Sequence, residues 1–261
     1  MVKSDTINSR PYSRYLSTRQ EIVGGTDDRS LQEVADRFSV YLRGWMPPDY
    51  SASILDAGCG NGNALYAFST WGYSKLEGVD LSEEQVQEAQ KRFPQVKCED
   101  IFTYLSDRDE MYDLITAFDL IEHFSPEEAM KFIDYANHAL CNGGSIIIQT
   151  PNAAGLRPGN LMWGDFTHKQ NYAPPALRQM LYLSGFSDVE FRETIPVIHG
   201  LKSLLRAGLW RCVRAAAAAC DMIETGKKQD VYTRNMMVFA RKAKKVDSNY
   251  ERKLGKIREN E

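Results

Sequence analysis

Four side chains between residues 119 and 168 have types and spacing that could do chemistry. Asp119, Glu122 and His123 stand at positions i, i+3 and i+4, a spacing that puts three side chains on one face of a helix. His168 follows on a later loop. Carboxylates and imidazoles together can hold one divalent cation; oxygen ligands favour magnesium or manganese, and two imidazoles would also accept zinc. The sequence therefore predicts a metal site formed by Asp119, Glu122, His123 and His168.

Two other interpretations of these residues stay open. Glu122 and His123 are also typical of a structural helix start, in which His123 would only be hydrogen-bonded to a neighbour. Alternatively no metal binds and an imidazole acts as a general base, because histidine changes protonation near neutral pH. The candidate catalytic residues are therefore His168 and His123, with His168 as the base if the metal is absent.

A glycine-rich loop lies upstream, in the run Ile54-Leu55-Asp56-Ala57-Gly58-Cys59-Gly60-Asn61-Gly62. Glycines let the backbone turn sharply and approach a ligand closely, and the N-terminus of the following helix offers unpaired N–H donors. No Lys or Arg occurs between Asp56 and Gly72, so the loop lacks the cation that a phosphate would attract. A second acid, Asp80, ends the next apolar run. The presence of two acids favours a ligand-binding role for Asp56 over the alternative that Asp56 only caps a turn. Together with the missing cation, it favours a nucleoside ligand that has no phosphate.

The elements that must position these residues alternate along the chain. Helical patterns occur at Leu31–Leu42, Ala64–Trp71, Ser82–Phe93, Pro126–Leu140 and Pro174–Leu183. Short apolar runs predict strands at Ser53–Ala57, Lys75–Asp80, Val96–Cys98, Asp113–Phe118, Ser145–Thr150, Val189–Ile195 and Met236–Ala240. Strand and helix in alternation predict an α/β fold with a doubly wound, mostly parallel seven-stranded sheet.

The chain divides into a central domain at residues 51–242 and two flanking segments. Residues 1–50 are predicted to form an N-terminal helical cover, and residues 243–261 a charged tail. A helical insertion, residues 196–230, precedes the last strand. It is apolar, but Lys202, Arg206, Arg211 and Arg214 spread over about half of the helix circumference. This spread favours a helical lid or a homodimer contact over a membrane anchor.

Composition limits the classes of partner. The 261 residues are 43% hydrophobic and carry a net charge of −3, so a sizeable core is expected, and no nucleic acid or anionic membrane is expected as partner. No run approaches the roughly 20 apolar residues that span a bilayer and no signal core is visible, so we expect a cytoplasmic protein. Five cysteines without a C-x-x-C pair predict free thiols.

The order of these motifs resembles the class I S-adenosylmethionine-dependent methyltransferases. It is carried by Asp56-x-Gly58-x-Gly60, by Val79-Asp80-Leu81-Ser82, by Asp100 after the third strand and by Tyr112-Asp113-Leu114-Ile115. The resemblance covers roughly residues 50–195 and the last strand. It implies a Rossmann-like methyltransferase fold and the cofactor S-adenosylmethionine.

The resemblance also implies roles for single residues. Asp56 and the loop glycines would hold the methionine moiety, Asp80 both ribose hydroxyls, and Asp100 with Ile101 the adenine. The implied cofactor-binding set is Asp56, Gly58, Gly60, Gly62, Asp80, Leu81, Asp100, Ile101 and Phe118.

Two narrower resemblances bear on the acceptor. The D-x-x-E-H run from Asp119 to His123 is similar to the E-x-x-E-H of ubiquinone-pathway O-methyltransferases and small-RNA 2'-O-methyltransferases, which bind magnesium there; here the first acid is one methylene shorter. The Asp165–His168 and Glu224–Gly226 segments are similar to methyltransferases of bacterial O-antigen and capsule gene clusters, which favours polysaccharide biosynthesis and O-methylation of a sugar hydroxyl.

Two alternatives to the glycan acceptor stay open. A phenolic quinone precursor could bind in an apolar pocket built from Trp163, Phe166 and Tyr172. A scaffold could bind the cofactor without catalysis.

Overall fold

The fold is a seven-stranded sheet, seen in a computed structural model that describes residues 28–244. The strands are β1 (Ser53–Ala57), β2 (Lys75–Asp80), β3 (Lys97–Cys98), β4 (Tyr112–Phe118), β5 (Leu140–Pro151), β6 (Phe186–Glu193) and β7 (Asn235–Lys242). Their order is β3-β2-β1-β4-β5-β7-β6, and β7 runs antiparallel to both of its neighbours. The predicted doubly wound, mostly parallel sheet is confirmed.

Helices cover both faces of the sheet. They are α1 (Asp28–Tyr41), α2 (Asn63–Thr70), α3 (Glu83–Gln90), α4 (Ile101–Leu105), α5 (Pro126–Ala139), α6 (Gly159–Met162), α7 (Pro174–Leu183) and α8 (Leu201–Thr225). Apolar side chains of α1, α2 and α3 pack on one face of the sheet, and those of α4, α5 and α7 on the other. Because both faces are buried, the central strands are apolar at nearly every position, as in β1, where Ile54 and Leu55 point to opposite cores.

Two strands, β5 and β6, begin three or more residues before the predicted position, and the bounds of the other strands agree with the prediction to within two residues. β5 begins at Leu140, well before the predicted Ser145, because Leu140 pairs with Tyr112 across a register shift in β4. Gly143 has a φ of 82° within this irregular stretch, a conformation that the apolar pattern could not indicate. β6 begins at Phe186 and ends at Glu193, so the predicted strand Val189–Ile195 was placed too late in the chain.

The predicted flanking segments are described only in part. Residues 1–27 of the N-terminal cover and residues 245–261 of the charged tail lie outside the described residues. The described part of the cover is α1, and the segment 196–230 contains one 25-residue helix, α8. None of the helices between residues 28 and 244 combines the length and apolar character needed to cross a bilayer. All five cysteines are free thiols, as predicted.

The parallel strands β1, β2, β4 and β5 end at one edge of the sheet. Ala57, Asp80, Phe118 and Pro151 are their last residues. Between β1 and β4 the strand order reverses direction along the chain, and ligands of doubly wound sheets bind in the crevice at such a point. The candidate site residues are therefore expected at this edge.

Candidate functional site

A cavity of about 790 Å³ opens at this edge of the sheet, within the usual range for small-molecule sites. Its wall contains Asp56, Asp80 and Asp100, and also Asp119 and His123 from the segment after β4. All nine residues of the predicted cofactor set except Gly62 line it. The fold thus brings most of the predicted residues to one cavity.

The glycine loop between β1 and α2 needs glycine for two separate reasons. Gly58, Gly60 and Gly62 have φ values of 70°, 52° and 84°, which lie in the left-handed region that other residues rarely adopt. A Cβ on Gly60 would also lie 2.6 Å from Gln85 Oε1. Gly62 precedes α2 as its N-cap, so it shapes the loop without reaching the cavity wall. The backbone of the glycine loop therefore forms part of the cavity wall.

Asp56 is a buried carboxyl at the end of β1. It is 2% exposed, and its Oδ1 accepts a hydrogen bond of 2.7 Å from the Thr116 hydroxyl. Burial raises the pKa of Asp56 to about 7, although the Thr116 hydrogen bond lowers it, and the charge of Asp80 adds to the rise. A strongly raised pKa in a cavity is typical of a binding site, because a cationic ligand group would offset the cost of the charge.

Asp80 is held by two backbone N–H groups. Its Oδ2 accepts from Gly60 N at 2.9 Å, and its Oδ1 accepts from Ser82 N at 2.8 Å. Burial raises the pKa of Asp80, while these backbone hydrogen bonds oppose the rise. Each oxygen keeps a further lone pair, so the fixed carboxylate could accept two vicinal hydroxyls.

Asp100 and Ile101 begin α4. Asp100 is the N-cap, and its Oδ1 accepts from the backbone N–H groups of Phe102 and Thr103 at 3.0 and 3.1 Å. This cap fixes the side chain and leaves Oδ2 for a ligand. Asp100, Ile101 and the half-exposed Leu81 all line the cavity, as a flat aromatic ligand such as adenine would require.

Phe118, the last residue of β4, and Asp119, which follows it, both line the cavity. The Phe118 ring stacks on Phe38 of α1, with centroids 4.7 Å apart. Asp119 has a φ of 52°, and its Oδ2 accepts a hydrogen bond of 2.9 Å from Gln149 Nε2 on β5. The predicted helical turn at Asp119 is wrong, because the chain leaves β4 through this left-handed residue and only Ile121–His123 form a short 3-10 helix.

The structure brings three of the four predicted metal ligands together. Glu122, His123 and His168 each place one potential ligand atom within 4.8 Å of the other two. Asp119 does not belong to this group. Glu122 is 1% exposed, and its Oε2 accepts a hydrogen bond of 3.0 Å from the Thr150 hydroxyl. The two histidine rings meet edge to face, with centroids 4.9 Å apart.

Hydrogen bonds fix the orientation of both histidines. The Thr167 hydroxyl donates to Asp165 Oδ1 at 2.6 Å and lies 2.9 Å from His123 Nδ1. Because a hydroxyl has one proton, His123 Nδ1 must be the donor to Thr167, which leaves the Nε2 lone pair for other partners. His168 Nδ1 lies 3.1 Å from the Met162 carbonyl oxygen and must likewise donate. His123 lines the cavity, whereas His168 does not.

Sequence reasoning missed part of the cavity wall. Glu33, Arg37 and Tyr41 of α1, Gln149 of β5 and Thr194 after β6 all line the cavity. The position of Gln149 in the cavity wall could have been predicted, because Gln149 pairs with Phe118 near the ends of two parallel strands. The α1 residues gave no signal, because the side of the sheet on which that helix packs depends on long-range contacts.

Comparisons with known proteins agree with this geometry. The methyltransferase domain family matches residues 27–190. The 27-O-demethylrifamycin SV methyltransferase of Amycolatopsis mediterranei is 29% identical over 146 residues, which are 51% of this chain and 53% of that protein. The mitochondrial ubiquinone biosynthesis O-methyltransferase of Dictyostelium discoideum is 30% identical over 119 residues, 40% of this chain and 36% of that protein. The chain spans at most about half the length of these relatives.

Solved structures share the fold. A SAM-dependent methyltransferase from Archaeoglobus fulgidus superposes with a TM-score of 0.63 at 21% identity, over 87% of this chain and 99% of that one. A phosphoethanolamine N-methyltransferase 2 from Haemonchus contortus, in complex with S-adenosylhomocysteine, gives a TM-score of 0.59 at 16% identity, over 93% of this chain and 61% of that one. At these identities the likeness establishes the fold alone.

We predict that Asp56→Asn makes the ligand-free protein less sensitive to pH. A carboxyl whose pKa rises on folding stabilises the fold fully below its unfolded value of about 3.9, and this contribution is lost as the pH rises through the folded value of about 7. At pH 8 the buried charge costs on the order of a few kcal/mol, which the amide avoids.

Urea unfolding of the ligand-free protein at pH 5 and pH 8 checks this prediction. The unfolding free energy of the Asn variant minus that of the unmodified protein should rise with pH, while the exposed Glu83→Gln control should show no such trend. Parallel pH profiles for the Asn variant and the unmodified protein would contradict the assignment of a raised pKa to Asp56.

Proposed function

Because this chain belongs to the methyltransferase domain family, we propose that it transfers the methyl group of S-adenosylmethionine to a sugar hydroxyl of a bacterial surface glycan or its precursor. One observation carries the proposal: a single cavity is lined both by the Asp56 and Asp80 carboxyls, which follow β1 and β2, and by His123, which follows β4. In the proposal the two acids form one end of the site and His123 the other. The first end suits an amino acid and a ribose, and the second suits removal of a proton from an alcohol.

The cofactor roles follow from the contacts at the first end. Asp56 would pair with the ammonium group of the methionine moiety, and Asp80 would accept the two ribose hydroxyls. Asp100 and Leu81 would flank the adenine. When bound, the cofactor supplies a methyl group activated by a positively charged sulfur. The chain's own contribution is then alignment of the two reactants, which can lower a barrier by about 7 to 11 kcal/mol in favourable systems.

A sugar hydroxyl is a weak acid, so the chain must accept its proton. Sequence analysis assigned this role to His168; the cavity wall favours His123. The Asp165 and Thr167 hydrogen bonds hold the proton of His123 on Nδ1, so Nε2 would be the atom that accepts the proton of the acceptor hydroxyl. Asp165 and Thr167 are positioning residues in this mechanism. They hold the imidazole in one tautomer and one orientation.

Alternatively, the lone pair of His123 Nε2 could bind a divalent ion instead of a proton. The Glu122, His123 and His168 ligand atoms are spaced close to what one shared ion requires, so these residues fit magnesium, manganese or zinc. Asp119 is tied to Gln149 and is outside the proposed ligand set. An ion held there would lower the pKa of a hydroxyl that binds it.

The polar wall of the cavity supports a hydroxyl-bearing acceptor. The wall also carries Asp119, Gln149, Thr194 and Asn235, and the buried Oδ1 of Asn235 has no hydrogen-bond partner within the part of the chain that the structure describes. An unpaired buried oxygen is costly unless a ligand donates to it. The phenolic alternative has less support, because Trp163 and Phe166 are 70% and 84% exposed and do not contribute to the wall.

We predict methylation of sugar hydroxyls in preference to phenols. The protein is incubated with cofactor labelled in its methyl group and matched panels of nucleotide sugars, glycolipid precursors and catechol-type phenols. Label should transfer to a carbohydrate oxygen. Transfer to phenols alone would contradict the acceptor class, and cofactor binding without transfer to any acceptor would favour the non-catalytic scaffold.

We predict that His123→Ala reduces turnover about 100-fold or more, which is the usual contribution of a general base. If His123 acts only as a general base, a chelator should not change turnover, and Glu122→Ala should reduce turnover only slightly. If a metal is bound, a chelator abolishes turnover, added magnesium or manganese restores it, and Glu122→Ala is as damaging as His168→Ala. The exposed His199→Ala is the matched control. Full activity in both the His123 and the Glu122 variants would contradict both mechanisms.

A further inference from the structure

Among residues 28–244, helix α8 contacts the rest of the domain through one face. Arg214 Nε lies 2.9 Å from both carboxylate oxygens of Glu193 on β6, and the Tyr232 hydroxyl donates to Asp221 Oδ2 at 2.6 Å. The less exposed residues of α8 repeat every three or four positions, as expected for one helix face. They are Ser203, Ala207, Trp210, Arg214, Ala217, Ala218 and Asp221.

The opposite face of α8 is apolar and exposed. At about 100° per residue, its side chains fall within an arc of about 80°. We call this set the α8 stripe: Leu201, Leu205, Leu209, Cys212, Ala216, Ala219 and Ile223. Leu201 and Ile223, at its two ends, are 85% and 86% exposed. Contiguous apolar patches of this kind on a protein surface mark interaction sites.

The cavity does not explain why the α8 stripe is apolar. Among the described residues, no member of α8 lines the cavity, so the helix is not a lid in this structure. We propose that the α8 stripe packs against the α8 stripe of a second copy of this chain, with the two helices antiparallel. Such an interface is isologous, as in most homodimers.

The charges at the edge of the stripe select the antiparallel direction. By the same helical geometry, Lys202, Arg206 and Glu224 lie along one edge of the stripe, near opposite ends of the helix. In an antiparallel pair with its midpoint near Val213, the two cations of each copy lie beside Glu224 of the other. In a parallel two-fold pair this edge would instead face the opposite edge of the partner, which carries the uncharged Leu204, Gly208, Ala215 and Met222. Only the antiparallel pair brings opposite charges together, and edge charges of this type set orientation in paired helices.

The composition of the helix supports a helix partner over a lipid surface. Its 25 residues extend over about 37 Å, and Ala216 and Ala219 let two backbones approach closely. A helix that lies on an anionic membrane is typically lined by cations along its polar side, whereas Glu224 and Asp221 interrupt the positive charge here. Paired along its length, the stripe of each copy would be removed from water.

Sedimentation equilibrium of the full chain at micromolar concentration tests the association. The unmodified protein should have twice the mass of one chain. The double variant Leu205→Glu/Leu209→Glu should weaken association at least tenfold, while Leu183→Glu, at an equally exposed leucine on α7, should leave it unchanged. A monomeric unmodified protein, or a dimer that the double variant does not weaken, would overturn the proposal.

Charge reversal tests the direction. Glu224→Lys alone and Lys202→Glu/Arg206→Glu alone should each weaken association, and an equimolar mixture of the two variants should restore it as a heterodimer. Unimpaired association of the Glu224→Lys protein would overturn the antiparallel arrangement.

Native cysteines give a second test of the arrangement. Cys212 lies near the proposed midpoint and Cys220 does not. Mild oxidation with diamide should therefore cross-link the Cys220→Ser protein but not the Cys212→Ser protein. The reverse pattern would overturn the proposed midpoint. Binding of a monomeric chain to vesicles of anionic phospholipid, lost in the Leu205→Glu/Leu209→Glu variant, would assign the stripe to a membrane surface instead.

Discussion

The carboxylate of Asp80 is fixed by the Gly60 and Ser82 N–H groups, and this contact ties the glycine loop to the end of β2. The loop can reach Asp80 only because Gly58 and Gly60 adopt left-handed backbone conformations. The parallel pairing of β1 with β2 brings the buried Asp56 carboxyl near Asp80, and the charge of Asp80 adds to the rise in the pKa of Asp56. Two desolvated acids are costly side by side. A ligand that donates hydroxyl groups to Asp80 and places a cationic group beside Asp56 would remove much of that cost. The two acids therefore determine which kind of ligand the cavity can bind.

The remaining chemistry is arranged along the same sheet edge. The ends of β1 and β2 supply the carboxyls, and the segments after β4 and β5 supply His123 and the residues that orient it. Thr167 is the link between the two later segments, because its hydroxyl connects His123 to Asp165. In the proposed function, the nucleoside end and the proton-accepting end of the cavity therefore depend on different strands. A change of acceptor could evolve on the later loops without disturbing the Asp80 contact.

The fold was predictable from the sequence, and so was the presence of the acids and loop glycines in one cavity, because both depend on local patterns. Buried strands read as apolar runs, and the acid-glycine loop stands directly between a strand and a helix. The proton-accepting end was predictable only in part. Helical spacing grouped Asp119 with Glu122 and His123, but a left-handed φ at Asp119 turns it toward Gln149. The spacing of residues along the sequence indicates neither the left-handed φ of Asp119 nor the packing of α1 over the cavity. Both depend on contacts between segments that are far apart in the chain.

Calorimetric titration of S-adenosylmethionine into the unmodified protein and the Asp80→Asn variant tests the central claim most directly. The amide can still accept from one backbone N–H, so the loop is retained better than in Asp80→Ala, yet the charged acceptor for the ribose is lost. A hydrogen bond to a charged group contributes about 1.5 to 3 kcal/mol, so affinity should fall at least tenfold, while Glu99→Gln in the same cavity wall should bind as the unmodified protein does. Unchanged affinity in the Asp80→Asn variant would contradict the account.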